Sequence, residues 1–171
     1  MAMKGKWAQG IRPRNFAWVI KDRLAVCERP GGYGANHRRV RRQEEIIWVR
    51  EQAFTCVVSI ITGTHNLHNY TESELTWRHR PFGAGEDPAT LFAELFPELR
   101  QLVADGGKVL LHGEALDDRV SGMMAGYLVW SGMVPSPPQA TMLVEQILFR
   151  QIGPVGRELL AIATGLAPAD G

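Results

Sequence analysis

Residues 54–61 are almost continuously apolar, and the segment 108–112 contains the apolar run Val109, Leu110 and Leu111. Runs of this kind are typical of strands that are buried on both faces of a sheet. Three further segments rich in β-branched, apolar and aromatic residues predict shorter strands, at 16–20, 24–27 and 75–82. The pattern therefore indicates a sheet with a buried centre.

Helical patterns separate and follow these strands. Asn36 is predicted to cap a helix that runs to about residue 52. Asp87 followed by Pro88 predicts a helix start, because Asp caps a helix and Pro suits its first position. Pro97 predicts a kink or a break in that helix. Further helices are predicted to begin near residues 119, 136 and 155, the last of them ending near residue 164.

Strands and helices alternate in the middle of the chain, and helices dominate its C-terminal half. This order predicts an α/β fold with a central, mostly parallel sheet flanked by helices. A length of 171 residues suits one domain, which we place at residues 15–164. We expect residues 1–14 to form a flexible basic tail and residues 165–171 to form a second tail.

Composition narrows the possible function classes. The chain is 45% hydrophobic, and its 19 basic residues nearly balance its 18 acidic ones. This composition excludes general disorder and argues against nucleic acid as a partner. No apolar run reaches the roughly 20 residues that span a bilayer, so no membrane span is predicted. The N-terminal residues lack the apolar segment of a signal peptide, so we expect a cytoplasmic location.

The two cysteines, Cys27 and Cys56, each lie inside an apolar stretch. Neither belongs to a spacing that is typical of metal ligands. We expect both thiols to be reduced and buried in strands, where free cysteines are often found.

Candidate chemistry concentrates where the segment 108–112 ends. In an α/β sheet, ligands bind beyond the carboxyl ends of the strands, often at the N-terminus of a following helix. Here the strand ends in His112, a six-residue loop follows, and Arg119 opens the next helix. The backbone amides of such a loop, the helix dipole and an Arg fork all favour a phosphate or a similar anion.

This segment resembles the phosphate-binding loop of the cysteine-dependent protein tyrosine phosphatases, especially the small dual-specificity type. The signature of that family is His-Cys, five residues and then Arg, and His112 and Arg119 match it. Gly113 stands at the position of the nucleophilic Cys. The resemblance extends over residues 16–160 through the order and spacing of the other motifs. It implies the fold of a small dual-specificity phosphatase domain.

The departures from the family pattern concern catalysis. The family's general-acid Asp would fall near Gly83 or Ala84, neither of which can donate a proton. Asp87 comes a few residues late and is better explained as a helix cap. The resemblance therefore implies an inactive pseudophosphatase of the glycine-substituted type, with Gly113 and Ala84 as its degenerate catalytic positions.

The leading hypothesis is a catalytically inactive, phosphatase-like protein that binds a phosphorylated protein or a small anionic ligand. The predicted anion-binding residues are His112, Gly113, Glu114, Ala115, Leu116, Asp117, Asp118 and Arg119. Two alternatives stay open. One is an active enzyme of different chemistry that uses the acidic and histidine side chains of the pocket. The other is a purely structural interaction protein whose pocket is vestigial.

Three carboxylates in the loop weigh against anion binding. Glu114, Asp117 and Asp118 would repel a dianion unless their side chains point outward. An ion pair between Arg119 and Asp117 or Asp118 would instead make the loop a structural turn. The family's second loop glycine is replaced by Leu116.

Two histidines, His65 and His68, follow the apolar run 54–61 on its carboxyl side. Together with Ser121 they are expected to line the mouth of the cleft. A metal bound by these imidazoles is the weaker interpretation, because no Cys and no third local ligand supports it. We therefore predict neither a metal nor another cofactor.

The strongest basic cluster lies at residues 37–42. Arg38, Arg39, Arg41 and Arg42 are candidate partner-binding residues, because positive charge at the start of a helix opposes the helix dipole. A solvated helix face is the alternative interpretation.

Overall fold

Five short strands form one sheet in the computed structural model, which describes residues 9–167. The strands are β1 (Ala17–Ile20), β2 (Leu24–Cys27), β3 (Cys56–Ser59), β4 (Trp77–His79) and β5 (Val109–His112). Their order across the sheet is β1-β2-β5-β3-β4, and β1 and β2 are the antiparallel pair. The prediction of an α/β fold with a central, mostly parallel sheet is confirmed.

Six α-helices accompany the sheet within the described residues. They are α1 (Arg39–Glu51), α2 (His68–Glu72), α3 (Pro88–Ala104), α4 (Asp118–Trp130), α5 (Pro137–Leu148) and α6 (Pro154–Thr164). Alternate residues of the central strands pack into two separate cores, as expected for a sheet covered on both faces. Helices α1 and α2 cover one face, and α3 to α6 cover the other.

Helix starts follow the predicted pattern in one case and depart from it in another. The Asp87 side chain caps α3, as predicted, by accepting a hydrogen bond from the Thr90 N–H at 3.0 Å. Asn36 does not cap α1: it lies in a short 3₁₀ turn, and Arg38 takes the N-cap position without a side-chain hydrogen bond. Helix α3 also continues across Pro97 as one element instead of breaking there.

Helices α4 and α6 approach each other very closely, and this contact fixes the start of α4. A β-carbon on Gly122 would lie 2.4 Å from the carbonyl oxygen of Gly156, so only glycine allows the two backbones to pack at this distance. Most of α4 is buried on all sides. The loop that leads into α4 is therefore attached to a rigid element.

Part of each predicted tail lies outside the described residues, namely 1–8 and 168–171. The described part of the N-terminal segment contacts the domain, because the Ile11 N–H donates to the Glu44 carbonyl at 3.1 Å. No helix within residues 9–167 is long and apolar enough to cross a membrane.

Both cysteines, Cys27 and Cys56, are buried free thiols in strands, as predicted. Burial raises the pKa of each thiol, so neither forms a thiolate readily. They contribute to the core and not to a reactive site.

Candidate functional site

The loop formed by residues 113–119 begins at the carboxyl end of β5, the middle strand of the sheet. His112 ends β5 and lies level with Cys27 of β2 and Ser59 of β3. The loop leads into α4, whose N-cap is Asp117. A strand end, a loop and the positive end of a helix dipole thus meet at one place.

The backbone of the 113–119 loop turns its carbonyl groups toward the protein. Three loop carbonyls accept hydrogen bonds from outside the loop: Gly113 from His112 Nδ1 (3.0 Å), Glu114 from the Arg29 N–H (3.2 Å) and Leu116 from Arg150 Nη1 (2.6 Å). A trans peptide holds its N–H opposite its C=O, so the amides that follow these carbonyls point away from the three donors.

The backbone N–H groups of residues 113–119 have no acceptor anywhere in the described part of the chain. Successive amides that are free in this way at the start of a helix form an anion-binding concavity. The backbone therefore offers hydrogen-bond donors that the protein itself does not use.

His112 is buried and holds the first peptide of the loop in place. Burial lowers the pKa of His112 to about 4, so the ring is neutral near pH 7. Its Nδ1 carries the proton, because the Gly113 oxygen can only accept. Its Nε2 then accepts from the Tyr70 hydroxyl at 2.8 Å, and burial raises the pKa of Tyr70 so that this hydroxyl stays protonated.

Arg119 occupies the second position of α4, and the protein holds its guanidinium by one nitrogen. Nη1 donates to the Phe82 carbonyl at 3.0 Å, and the guanidinium carbon lies 5.3 Å from the centre of the Phe82 ring. Nε and Nη2 have no acceptor among residues 9–167. The guanidinium is thus anchored at one corner, while its other two donors are available for a pair of anion oxygens.

Two of the three loop carboxylates have nearby partners. Glu114 forms an ion pair with Arg29, with 3.2 Å between Nη1 and Oε2. Asp117 caps α4 by accepting from the Val120 N–H at 3.1 Å. Both residues line the cavity beside the loop, and the carboxylate of each is held by a specific contact.

The third carboxylate, Asp118, points away from the loop toward the start of α6. It accepts from the N–H groups of Gly153 at 2.6 Å and Gly156 at 2.7 Å. Neither Asp117 nor Asp118 pairs with Arg119, so the alternative in which an internal ion pair occupies this arginine is wrong. Asp118 instead stabilises the α4–α6 contact.

The Ala115 carbonyl differs from the three loop carbonyls that accept hydrogen bonds from outside the loop, because it lies beside position 113. The Ala115 carbonyl oxygen lies 3.5 Å from the ideal position of a β-carbon on Gly113, so an acceptor and not a donor is next to that position. None of residues 113–119 has a positive φ, although the family pattern has a glycine where Leu116 stands. The loop therefore differs here from one that is lined by amides throughout.

A cavity of about 180 Å³ opens beside the loop. Its walls are formed by Ile60, Ile61, Thr62, Phe82, Gly113, Glu114, Asp117, Arg119 and Val120. A β-carbon on Gly113 would contact Ile60 Cγ1 at 3.5 Å, which is an ordinary van der Waals distance. Position 113 thus has room for a side chain but carries none.

The segment that would hold a general acid, residues 83–86, forms a closed turn. The Gly83 N–H donates to Glu86 Oε2 at 2.6 Å, and the Glu86 N–H donates to the Gly83 carbonyl at 3.3 Å. Ala84 is exposed at the tip. The Asp87 carboxylate accepts hydrogen bonds from the N–H and the hydroxyl of Thr90, and these bonds lower the pKa of that carboxyl. A carboxyl whose ionised form is stabilised in this way is a poor proton donor near pH 7.

His65 and His68, which were expected to line the mouth of the cleft, do not line this cavity. The carbonyl of His65 accepts from Arg29 Nη2 at 3.4 Å, and His68 lies exposed on α2 with its Nε2 3.9 Å from Glu72. Thr62 occupies the wall at this point. Within residues 9–167, no group of three or more His, Cys, Asp or Glu side chains is arranged to hold a metal ion.

Ser121 is also absent from the cavity wall, contrary to the expectation. It is buried, and its hydroxyl donates to the Asp117 carbonyl at 2.9 Å. The side chain therefore stabilises the first turn of α4.

The basic cluster divides into an inner and an outer pair. Arg41 forms an ion pair with the buried Glu45, and Arg42 is partly buried, which lowers its pKa. Arg38 and Arg39 are exposed. A surface for a partner can therefore use the outer pair, whereas Arg41 and Arg42 belong to the structure of the domain.

Three residues that help to hold the 113–119 loop were not predicted from the sequence: Arg29, Tyr70 and Arg150. Arg29 lies two positions beyond the end of β2, and β2 lies beside β5. Only the order of strands in the sheet reveals that this arginine reaches the loop. No local pattern marks Tyr70 or Arg150 as its neighbours.

Solved structures of phosphatases share this fold. Kinase associated phosphatase (KAP), with its catalytic-site cysteine substituted by serine, is 19% identical with a TM-score of 0.73, over 90% of this chain and 98% of that chain. Tk-PTP in its active form is 18% identical with a TM-score of 0.70, over 89% and 98%. A human tyrosine phosphatase-like serine/threonine/tyrosine-interacting protein is 12% identical with a TM-score of 0.60, over 85% and 93%.

The sequence itself matches no family model and no curated protein. The structural likeness nevertheless defines the architecture: this chain has an α/β fold that matches the small dual-specificity phosphatase domains. At these identities the likeness concerns the fold and not the activity.

Proposed function

We propose that this protein binds a phosphate group or a similar oxyanion in the 113–119 loop and does not hydrolyse it. The ligand is a phosphorylated protein or a smaller anionic molecule. One observation carries the proposal: the loop amides and the Nε and Nη2 of Arg119, which have no acceptor among residues 9–167, occur at the same helix N-terminus.

The lack of catalysis is inferred from two positions. Gly113 has no side chain to attack phosphorus, and removing a nucleophile costs many orders of magnitude in rate. Ala84 cannot protonate a leaving group, and the nearby Asp87 is engaged by Thr90. The protein is accordingly proposed to be a pseudophosphatase that acts by binding.

The names of two similar structures support a role in protein binding. One neighbour is described as kinase associated, and the human one as a phosphatase-like, serine/threonine/tyrosine-interacting protein. We extend this to the present chain as a proposal and expect its ligand to be a phosphoprotein of the cytoplasm.

A titration with inorganic phosphate, followed by NMR of the ¹⁵N-labelled protein, tests the binding. We expect the amide signals of residues 113–119 to shift together and to saturate. Arg119→Ala removes a charge-assisted fork and is expected to weaken binding by about tenfold to a hundredfold. Arg50→Ala, in the last turn of α1 and outside the 113–119 loop, is the matched control. It is expected to leave the affinity for phosphate unchanged. Saturable binding that survives Arg119→Ala would contradict the proposal.

The absence of hydrolysis is checked separately with a generic aryl phosphate. We expect no turnover above that of the Arg119→Ala variant. Turnover that depends on Arg119 would instead favour the alternative of an active enzyme. A loop that neither shifts with phosphate nor hydrolyses the ester would favour a structural protein with a vestigial pocket.

A further inference from the structure

The carboxylate of Glu114 is the part of the 113–119 loop that most directly opposes anion binding. Glu114 follows Gly113 directly and contributes to the wall of the 180 Å³ cavity. Its side chain is 44% exposed, so it has room to change its rotamer. A carboxylate turned toward the loop amides would compete with the ligand for the same hydrogen-bond donors.

Arg29 binds this residue at two points. Its backbone N–H donates to the Glu114 carbonyl at 3.2 Å, and its Nη1 donates to Glu114 Oε2, also at 3.2 Å. Its Nη2 reaches the His65 carbonyl at 3.4 Å. Both the peptide group and the side chain of Glu114 are thus held by a single residue from a neighbouring strand end.

The two side chains differ in their freedom to move. That of Arg29 is only 11% exposed, and its guanidinium is fixed by contacts on two sides. The more exposed Glu114 carboxylate is therefore the mobile member, and Arg29 determines where it lies. Because the guanidinium fork is rigid and planar, a lysine cannot reproduce both its contact with the Glu114 carboxylate and its contact with the His65 carbonyl.

We propose that Arg29 is a positioning residue, whose side chain keeps the Glu114 carboxylate out of the anion site. This inference rests on the proposed function. It implies that the loop can tolerate an acidic residue beside Gly113 only because Arg29 is present. Removal of Arg29 converts Glu114 into a competitor of the ligand.

A set of four proteins tests the inference, with tungstate as the probe and NMR titration of the loop amides as the readout. Arg29→Gln is expected to weaken tungstate binding about tenfold or more. Glu114→Gln alone is expected to tighten it a few-fold. The double variant, Arg29→Gln with Glu114→Gln, is expected to bind within about threefold of the unmodified protein. Arg50→Gln is the matched control for loss of an arginine elsewhere.

A comparison of two anions of different charge separates this electrostatic role of Arg29 from a merely structural one. Perrhenate has the tetrahedral shape of tungstate but one negative charge instead of two. Repulsion from a released carboxylate scales with ligand charge, so Arg29→Gln should weaken tungstate binding more than perrhenate binding. If Arg29→Gln does not fold, Arg29→Lys replaces it, with an intermediate loss that Glu114→Gln again reverses.

The outcomes separate this inference from the proposed function. If the unmodified protein binds no tungstate, the proposed function fails, and this inference fails with it. If the unmodified protein binds and Arg29→Gln binds equally well, only the role of Arg29 is overturned. A double variant as weak as Arg29→Gln alone also overturns it, because Arg29 would then not act through Glu114.

Discussion

Two loops contact Arg119, and they differ in how their backbone hydrogen bonds are arranged. The 113–119 loop is held by contacts from Arg29, His112 and Arg150, and its backbone N–H groups have no acceptor in the part of the chain that the structure describes. The 83–86 turn follows the Phe82 carbonyl that Arg119 binds, and it is closed on itself by the Gly83–Glu86 hydrogen bonds.

The comparison separates functions of the backbone from functions of single side chains. Anion binding depends on amides and on one arginine, so it can persist when the side chain at position 113 is lost. Proton donation depends on one acidic side chain at one place, and Ala84 has no group that can supply it. Under the proposed function, a change of one or two residues abolishes catalysis and leaves binding in place.

The largest expected effect comes from restoring both missing side chains. Gly113→Cys places a thiol among the loop amides at a helix N-terminus, where we expect its pKa to be lowered and its alkylation to be faster than that of buried Cys27 and Cys56. Turnover of an aryl phosphate with a poor leaving group is expected to stay low. Adding Ala84→Asp should raise it by about 10²- to 10⁴-fold.

The control for that experiment is Gly113→Cys combined with Ala84→Asn, which adds an amide of similar size without a proton to donate. If Ala84→Asp and Ala84→Asn give equal turnover, the 83–86 turn does not reach the leaving group. The comparison of the two loops would then have to be revised.

Acid should lower the free energy of unfolding of the protein through His112. The folded-state pKa of His112 is lowered to about 4 from 6.5, so the unfolded chain binds more protons between these values. Stability therefore falls as the pH falls, by about 2 kcal/mol between pH 7 and pH 5 for this group. His112→Gln is expected to lose this component, as measured by denaturant unfolding at the two pH values. An unchanged pH dependence in the variant would mean that His112 is not the group responsible.

The smallest expected effect compares two helix caps. Asp87 caps α3 beside the 83–86 turn, and Asp117 caps α4 in the 113–119 loop. Asn caps as well as Asp, so Asp87→Asn and Asp117→Asn should each leave the melting temperature nearly unchanged. Asp117→Asn should tighten phosphate binding about threefold, because it removes a charge from the cavity wall, whereas Asp87→Asn should not. Equal affinities for the two variants would place Asp117 outside the anion site.

Much of the fold and part of the site could be predicted from local patterns. The strand that ends at His112, the cap at Asp87 and the position of Arg119 at a helix start all follow from spacing over a few residues. The failed prediction for Asn36 has a local cause as well. The chain makes a 3₁₀ turn at Gly34–Asn36, which delays the start of α1 to Arg39.

Two positions can be read directly from the chain: Gly113 and Ala84 stand where the family that the loop resembles has Cys and Asp. The positions of the Glu114 and Asp118 carboxylates, in contrast, depend on the tertiary structure. Glu114 meets Arg29 because β2 lies beside β5, and Asp118 meets the start of α6 because α4 and α6 pack at glycine distance. Such contacts join residues that are far apart in the chain, and their free energy depends on strand order and helix packing, which no local pattern encodes.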